Sequence, residues 1–106
     1  MNYTKVKFEI FIPISHIDIL REAINKTGAL TIGNYDNCIS TTEVNGYFRP
    51  LKDSNPYLGK ENTLSIEKEF KMEFRCNKDL ALEVINVIKA IHPYEEPVYN
   101  ILPIIN

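Results

Sequence analysis

Twice along this chain, a stretch with a side-chain period of two runs directly into one with a period of about 3.6. That repetition constrains the fold more than any other feature. In the first instance Val6, Phe8, Ile10 and Ile12 alternate with Lys5, Lys7, Glu9 and Phe11 as far as Pro13. Alternation of this kind puts the apolar residues on one face of a half-buried strand, which proline ends. Ile17, Leu20, Ala23, Ile24 and Thr27 then recur at helical spacing, with Ser15 placed to cap the helix, Asp18 three residues on, and Gly28 as its stop. This spacing leaves Arg21, Glu22, Asn25 and Lys26 on the outer side. In the second instance Ile66, Phe70, Met72 and Phe74 share a strand face, Lys68 being the exception, opposite Glu67, Glu69, Lys71 and Glu73. Asn77 can cap the next helix, whose stripe is Leu80, Val84, Val87, Ile88 and Ile91, widened by Leu82 and Ile85.

The segments between and after these halves complete the pattern. Residues 33–38 form a loop by composition and lead to a short strand at about 39–44. Asn45-Gly46 is a two-residue hairpin signal, because both residues accept positive φ, with Tyr47-Phe48-Arg49 returning to Pro50. Residues 51–63 lack periodicity and read as a long loop, a length usually functional or mobile. Pro93 ends the second helix, and residues 98–103 make a last strand that Pro103 assigns to a sheet edge or a subunit contact. The order predicts an α+β fold, a ferredoxin-like βαββαβ sandwich, with an antiparallel sheet carrying both helices on one face and an additional β-hairpin. The other face would expose Lys7, Glu9, Phe11, Glu67 and Glu69, a mixture that suits a contact between copies, so a homo-oligomer, dimer or trimer, is expected.

Composition narrows the function. A length of 106 residues argues for a single domain spanning 1–106. The net charge is -2 and the lysines are scattered, which argues against nucleic acid or anionic lipid as partner. No segment approaches the ~20 apolar residues of a membrane span, and the N-terminal residues have no apolar signal core. Cys38 and Cys76 are too few for a disulfide framework. A cytoplasmic protein with free thiols is the expectation.

The richest cluster of polar chemistry is His92-Pro93-Tyr94-Glu95-Glu96-Pro97. Imidazole and carboxylate can bind a divalent metal ion or pass protons. Adjacent acids in an extended chain point to opposite sides, so only one of Glu95 and Glu96 would join His92, which is half a site. In the plainer reading His92 closes the helix end with a hydrogen bond, while the two prolines fix the angle of the last strand. Asp36 and Cys38 could add ligands from one side of a strand, although cysteine in such a place is more often a small buried hydrophobe. His16 sits in the first helical turn, where exposure or contact with an anion would suit it. Phe48, Arg49, Tyr57 and Tyr94 could stack on a ring or base, or simply pack together. Ser15, Ser40, Ser54 and Ser65 lie in no nucleophile elbow, and there is no glycine-rich phosphate loop.

Three of these stretches occur in a familiar order: residues 32–38, then Phe48-Arg49-Pro50-Leu51 with Asn55-Pro56-Tyr57-Leu58-Gly59, then residues 92–97. In that order the chain resembles, from Lys7 to about Ile104, the YqfO-type domain of the NIF-three-like dinuclear-metal-centre proteins, a domain inserted in larger members and also found alone. The resemblance implies a ferredoxin-like fold of the PII and CutA kind, which those families assemble into compact oligomers. It implies further that residues 44–63 would meet a small ligand or a protein partner. The larger members' metal centre lies in a flanking domain whose ligands this chain lacks. Members commonly carry histidine where this chain has Thr31 and Asn37, and aspartate where it has Asn100.

These readings converge on a non-enzymatic binding or regulatory module of the NIF-three-like type. Asn34, Tyr35, Asp36, Arg49, Asn55, Tyr57 and Tyr94 would bind a ligand where three loops meet. The alternative is a divalent-metal-binding protein using His92, Glu95 or Glu96, and Cys38 or Asp36. A metal-dependent hydrolase would need three protein ligands and an open position.

Overall fold

The computed structural model describes residues 2–105. Strand β1 (Lys5–Pro13) leads through a 3-10 turn (Ile14–His16) into helix α1 (Ile17–Lys26). Strands β2 (Ser40–Phe48) and β3 (Ser65–Asn77) come next, then a second 3-10 turn, helix α2 (Ala81–Ile91) and strand β4 (Tyr99–Ile104). The sheet order is β2-β3-β1-β4, and all three pairings are antiparallel. This is the ferredoxin-like sandwich that the two alternating halves dictate.

The core lies between the sheet and the helices. Val6, Phe8, Ile10 and Ile12 of β1 and Met72, Phe74 and Cys76 of β3 are buried there, against Leu20 and Ile24 of α1 and Val84 and Ile88 of α2. Phe8 and Phe74, paired across the strands, stack with ring centroids 5.1 Å apart. Removing these side chains from water supplies the main drive to fold, at about 25 cal/mol per Å². Gly28 ends α1 with φ +87°, as its place in the sequence suggests. The last strand is an edge strand, as Pro103 requires.

Three local expectations are corrected. No turn forms at Asn45-Gly46: β2 runs unbroken through it, with Gly46 opposite Glu67. The glycine serves space instead of a bend, because a Cβ at 46 would overlap the carboxylate of Glu69. The additional hairpin is therefore absent, and β2 and β3 are joined by the long loop alone. Ser15 does not cap α1. Pro13 opens a 3-10 turn first, and the Ser15 hydroxyl bonds to Nδ1 of its neighbour His16 at 2.7 Å. Arg21 and Asn25 are not idle surface groups, for both hold the loop after α1 through hydrogen bonds to Asp36 and Asn37.

The strands differ in how far their pairing extends. β1 pairs with β3 only from Glu69 onward, whereas β2 pairs back to Ser65. Residues 45–48 and 65–68 thus form a two-stranded ribbon that overhangs the helix layer. On its helix side Tyr47, Ile66 and Lys68 are exposed. On its other side the long loop folds back over it, and Gly59, at φ +90°, leaves room for Ser65 and Phe48.

Candidate ligand-binding site

The face of the sheet away from the helices carries two kinds of surface. Toward the start of β1 it is a charged ladder, in which Lys7 pairs with Glu73 at 2.8 Å and Glu9 at 3.5 Å, and Lys71 lies 3.8 Å from Glu73. Toward the end of β1 it becomes a recess of about 560 Å³, within the usual range for a small-molecule site. Phe11, Gly46, Phe48 and Glu69 form its floor. The loop after β2 supplies Arg49, Pro50, Pro56, Tyr57 and Leu58, and the turn after α2 supplies Tyr94, Glu95, Glu96 and Val98.

Two hydrogen-bond systems set this architecture. The first fixes the turn. The main-chain N–H of Tyr94 donates to Nδ1 of His92 at 3.1 Å, so the ring proton resides on Nε2, which donates to the carbonyl of Phe11 at 2.6 Å. Burial, opposed by the bond to Phe11, pushes the His92 pKa below its ordinary value. The second tethers the loop to the turn, since the N–H of Asn55 donates to Oε1 of Glu95 at 2.9 Å. Aromatic contacts complete the walls: Tyr94 lies 6.1 Å from Phe48 and 6.3 Å from Tyr57, whose ring meets His16 edge-on at 5.6 Å.

The Tyr94 hydroxyl is buried and has no hydrogen-bond partner among the described residues. Burial, then the neighbouring Glu69 carboxylate, holds this phenol protonated well above its ordinary pKa. Glu69 itself is only 6% exposed and forms no ion pair among the described residues.

The structure brings together part of the set named from sequence. Arg49, Tyr57, Tyr94, Glu95 and Glu96 line the recess, and Asn55 braces its roof through Glu95. Asn34, Tyr35 and Asp36 do not line it. Their loop is bound to α1: the Asn37 N–H donates to Oδ1 of Asn25 at 2.8 Å, Nδ2 of Asn25 donates to Asp36 at 3.4 Å, and Arg21 donates to Oδ1 of Asn37. Tyr35 stands at a tight turn closed by reciprocal bonds with Ile32, 76% exposed.

The metal set does not assemble. Among the described residues no three His, Cys, Asp or Glu side chains are grouped to hold an ion. His92 has both ring nitrogens occupied by main-chain partners, Glu95 is engaged with Asn55, and Cys38 Sγ lies against the Asp36 carbonyl at 3.6 Å. Phe11 and Glu69 also line the recess, although nothing in their own sequence neighbourhood marks them as parts of a site. A signal was available, for a glycine inside a strand marks a place where something approaches the backbone closely.

No family model matches the chain. It is 36% identical over 100 residues to the GTP cyclohydrolase 1 type 2 homolog of Halalkalibacterium halodurans, covering 94% of this chain and 27% of that one. With the Bacillus subtilis protein of the same name it shares 33% identity over 98 residues, 92% of this chain and 26% of that one. The chain thus spans about a quarter of the length of the curated relatives it matches. Among solved structures, a Bacillus cereus protein related to NIF3 superposes with a TM-score of 0.83 at 30% identity, over 98% of this chain and 26% of that one. Two further likenesses show the fold alone. The periplasmic divalent cation tolerance protein CutA of Archaeoglobus fulgidus has TM-score 0.70 at 17% identity, over 96% of this chain and 85% of that one. The GlnK–ATP complex of B. subtilis has TM-score 0.65 at 13% identity, over 96% and 84%.

Proposed function

The chain belongs to the NIF-three-like family of GTP cyclohydrolase 1 type 2 homologs, as their YqfO-type domain, and from that premise we propose that it is a non-enzymatic module that binds a small ligand. The observation that carries this reading is the recess between the sheet and the two loops, apolar and aromatic over most of its wall, with a few polar groups converging on it. Among the described residues lining it there is no imidazole or thiol to serve as nucleophile or base. His92, the nearest candidate, is spent on holding the turn. Arg49 at the mouth, the rings of Tyr57 and Tyr94, and the braced Asn55 would select the ligand. A metal centre has no comparable support, because the candidate ligands are dispersed or already bonded.

Self-association belongs to the same proposal. Strand β4 is an open edge, and Val98, Leu102 and Ile105 are exposed along it, which suits pairing with another copy as a dimer or trimer in the cytoplasm. Sedimentation analysis tests this part, and a chain that remains monomeric at high micromolar concentration contradicts it.

A thermal-shift panel of nucleotides, aromatic amines and divalent ions tests the ligand reading. The expected result is a rise in melting temperature with one organic class that Tyr57→Ala abolishes. If the ions alone raise it, and Tyr57→Ala leaves that rise unchanged, the recess is not the site.

A further inference from the structure

Resting on the recess as a binding site, we infer that its ligand is an organic cation with a flat apolar body, whose ammonium or amidinium group meets the carboxylate of Glu69. Glu69 stands on the floor at 6% exposure, with no lysine or arginine paired to it among the described residues. A carboxylate with so little exposure and no counter-charge lacks the partner that buried charges ordinarily have. Its position is nevertheless built for, because β2 has a glycine at 46 where any Cβ would collide with the carboxylate. The Tyr94 hydroxyl, buried and without a partner in hydrogen-bond geometry among the described residues, lies beside this carboxylate and adds no positive charge to it.

The balance of charge points the same way. Glu69, Glu95 and Glu96 line the recess against one guanidinium, that of Arg49, and Arg49 is exposed at the mouth, where water already solvates it. An anion would therefore meet a solvated cation at the rim and a bare carboxylate inside. A cation would meet the carboxylate inside, among aromatic rings, whose faces attract positive charge. The planar body is inferred from Phe48, Tyr57 and Tyr94, whose rings enclose the space above Glu69.

Three compounds sharing an indole body separate charge from shape: tryptamine, tryptophol and indolepropionate. Each is titrated into the isotope-labelled chain while the amides of Gly46, Glu69 and Tyr94 are followed by magnetic resonance. Tryptamine is expected to move these amides and to bind at least about tenfold more tightly than tryptophol, a modest gain for a hydrogen bond to a charged group, with indolepropionate weakest. Glu69→Gln is expected to erase the preference. If tryptophol or indolepropionate binds as tightly as tryptamine at these amides, the cation inference fails and the recess still stands as a binding site. If none of the three moves them, both fail. The ranking in the unaltered protein decides the matter even where Glu69→Gln does not fold.

Discussion

The imidazole of His92, at the end of α2, donates from Nε2 to the main-chain carbonyl of Phe11 in β1, 2.6 Å away and 81 residues earlier in the chain. This bond joins the helix layer to the sheet at the point where the recess begins. With Nδ1 receiving the Tyr94 N–H, the ring acts as a strut between a strand and a turn. His92→Ala is expected to lower stability by about 2–3 kcal/mol, for two buried hydrogen bonds lost and a carbonyl left bare. Denaturant unfolding measures it. A loss below about 0.5 kcal/mol contradicts the strut.

The same residue gives the protein a pH dependence. Its folded pKa lies below the ordinary 6.5, because burial disfavours the imidazolium. The unfolded chain therefore binds the proton first as pH falls. The contribution of His92 to stability is present in full above about pH 6.5 and is lost as pH drops toward the folded value. Unfolding midpoints between pH 7.5 and about 5 should decline with a slope that His92→Gln reduces. Equal slopes in the two proteins count against this account.

Gly46→Ala is expected to push the Glu69 carboxylate, the mobile end of its side chain, out of place and to destabilise by about 1 kcal/mol. Combining it with Glu69→Ala should recover much of that loss, giving a double-mutant cycle with a coupling of about 1 kcal/mol. Simple additivity would show that the two residues do not touch.

Tyr94→Phe removes a buried hydroxyl that has no partner. In the ligand-free protein the change is expected to be neutral or to raise stability by up to about 1 kcal/mol, since nothing is lost but an unmet polar group. A clear destabilisation would show that the hydroxyl donates to the neighbouring Glu69 carboxylate.

Glu95→Ala releases the N–H of Asn55, the tether between loop and turn. Faster hydrogen exchange is expected at Asn55 and its neighbours in the loop, with the exchange of core amides in β1 unchanged. Unaltered protection at Asn55 would show that the loop is held elsewhere.

The sequence was legible where burial writes a period into it. Phe8, Ile10, Leu20, Ile24, Met72, Val84 and Ile88 all face one core, so both strand–helix halves and the α+β class could be read directly. It misled where one residue type serves two ends. Asn45-Gly46 looks like a turn because glycine tolerates positive φ, but here glycine makes room for a side chain from the next strand. Arg21 and Asn25 look like solvent-facing helix residues, and nothing local shows that they bind Asp36 and Asn37 more than ten residues on. Arg49, Tyr57 and Tyr94, which the sequence suggests for ligand contact, line one recess, and so do Glu95 and Glu96, which it suggests as metal ligands. Glu69 looks in the sequence like one more acid on a wet face, because only the tertiary fold shows the loop that covers it.

The overhang of β2 and β3 has a mechanical consequence. Residues 45–48 and 65–68 have neither a third strand nor a helix beneath them, and a two-stranded ribbon has little stability of its own. Held by one ladder and by the loop that covers it, this tongue is expected to loosen on warming before the sandwich behind it, and the recess to lose its shape with it.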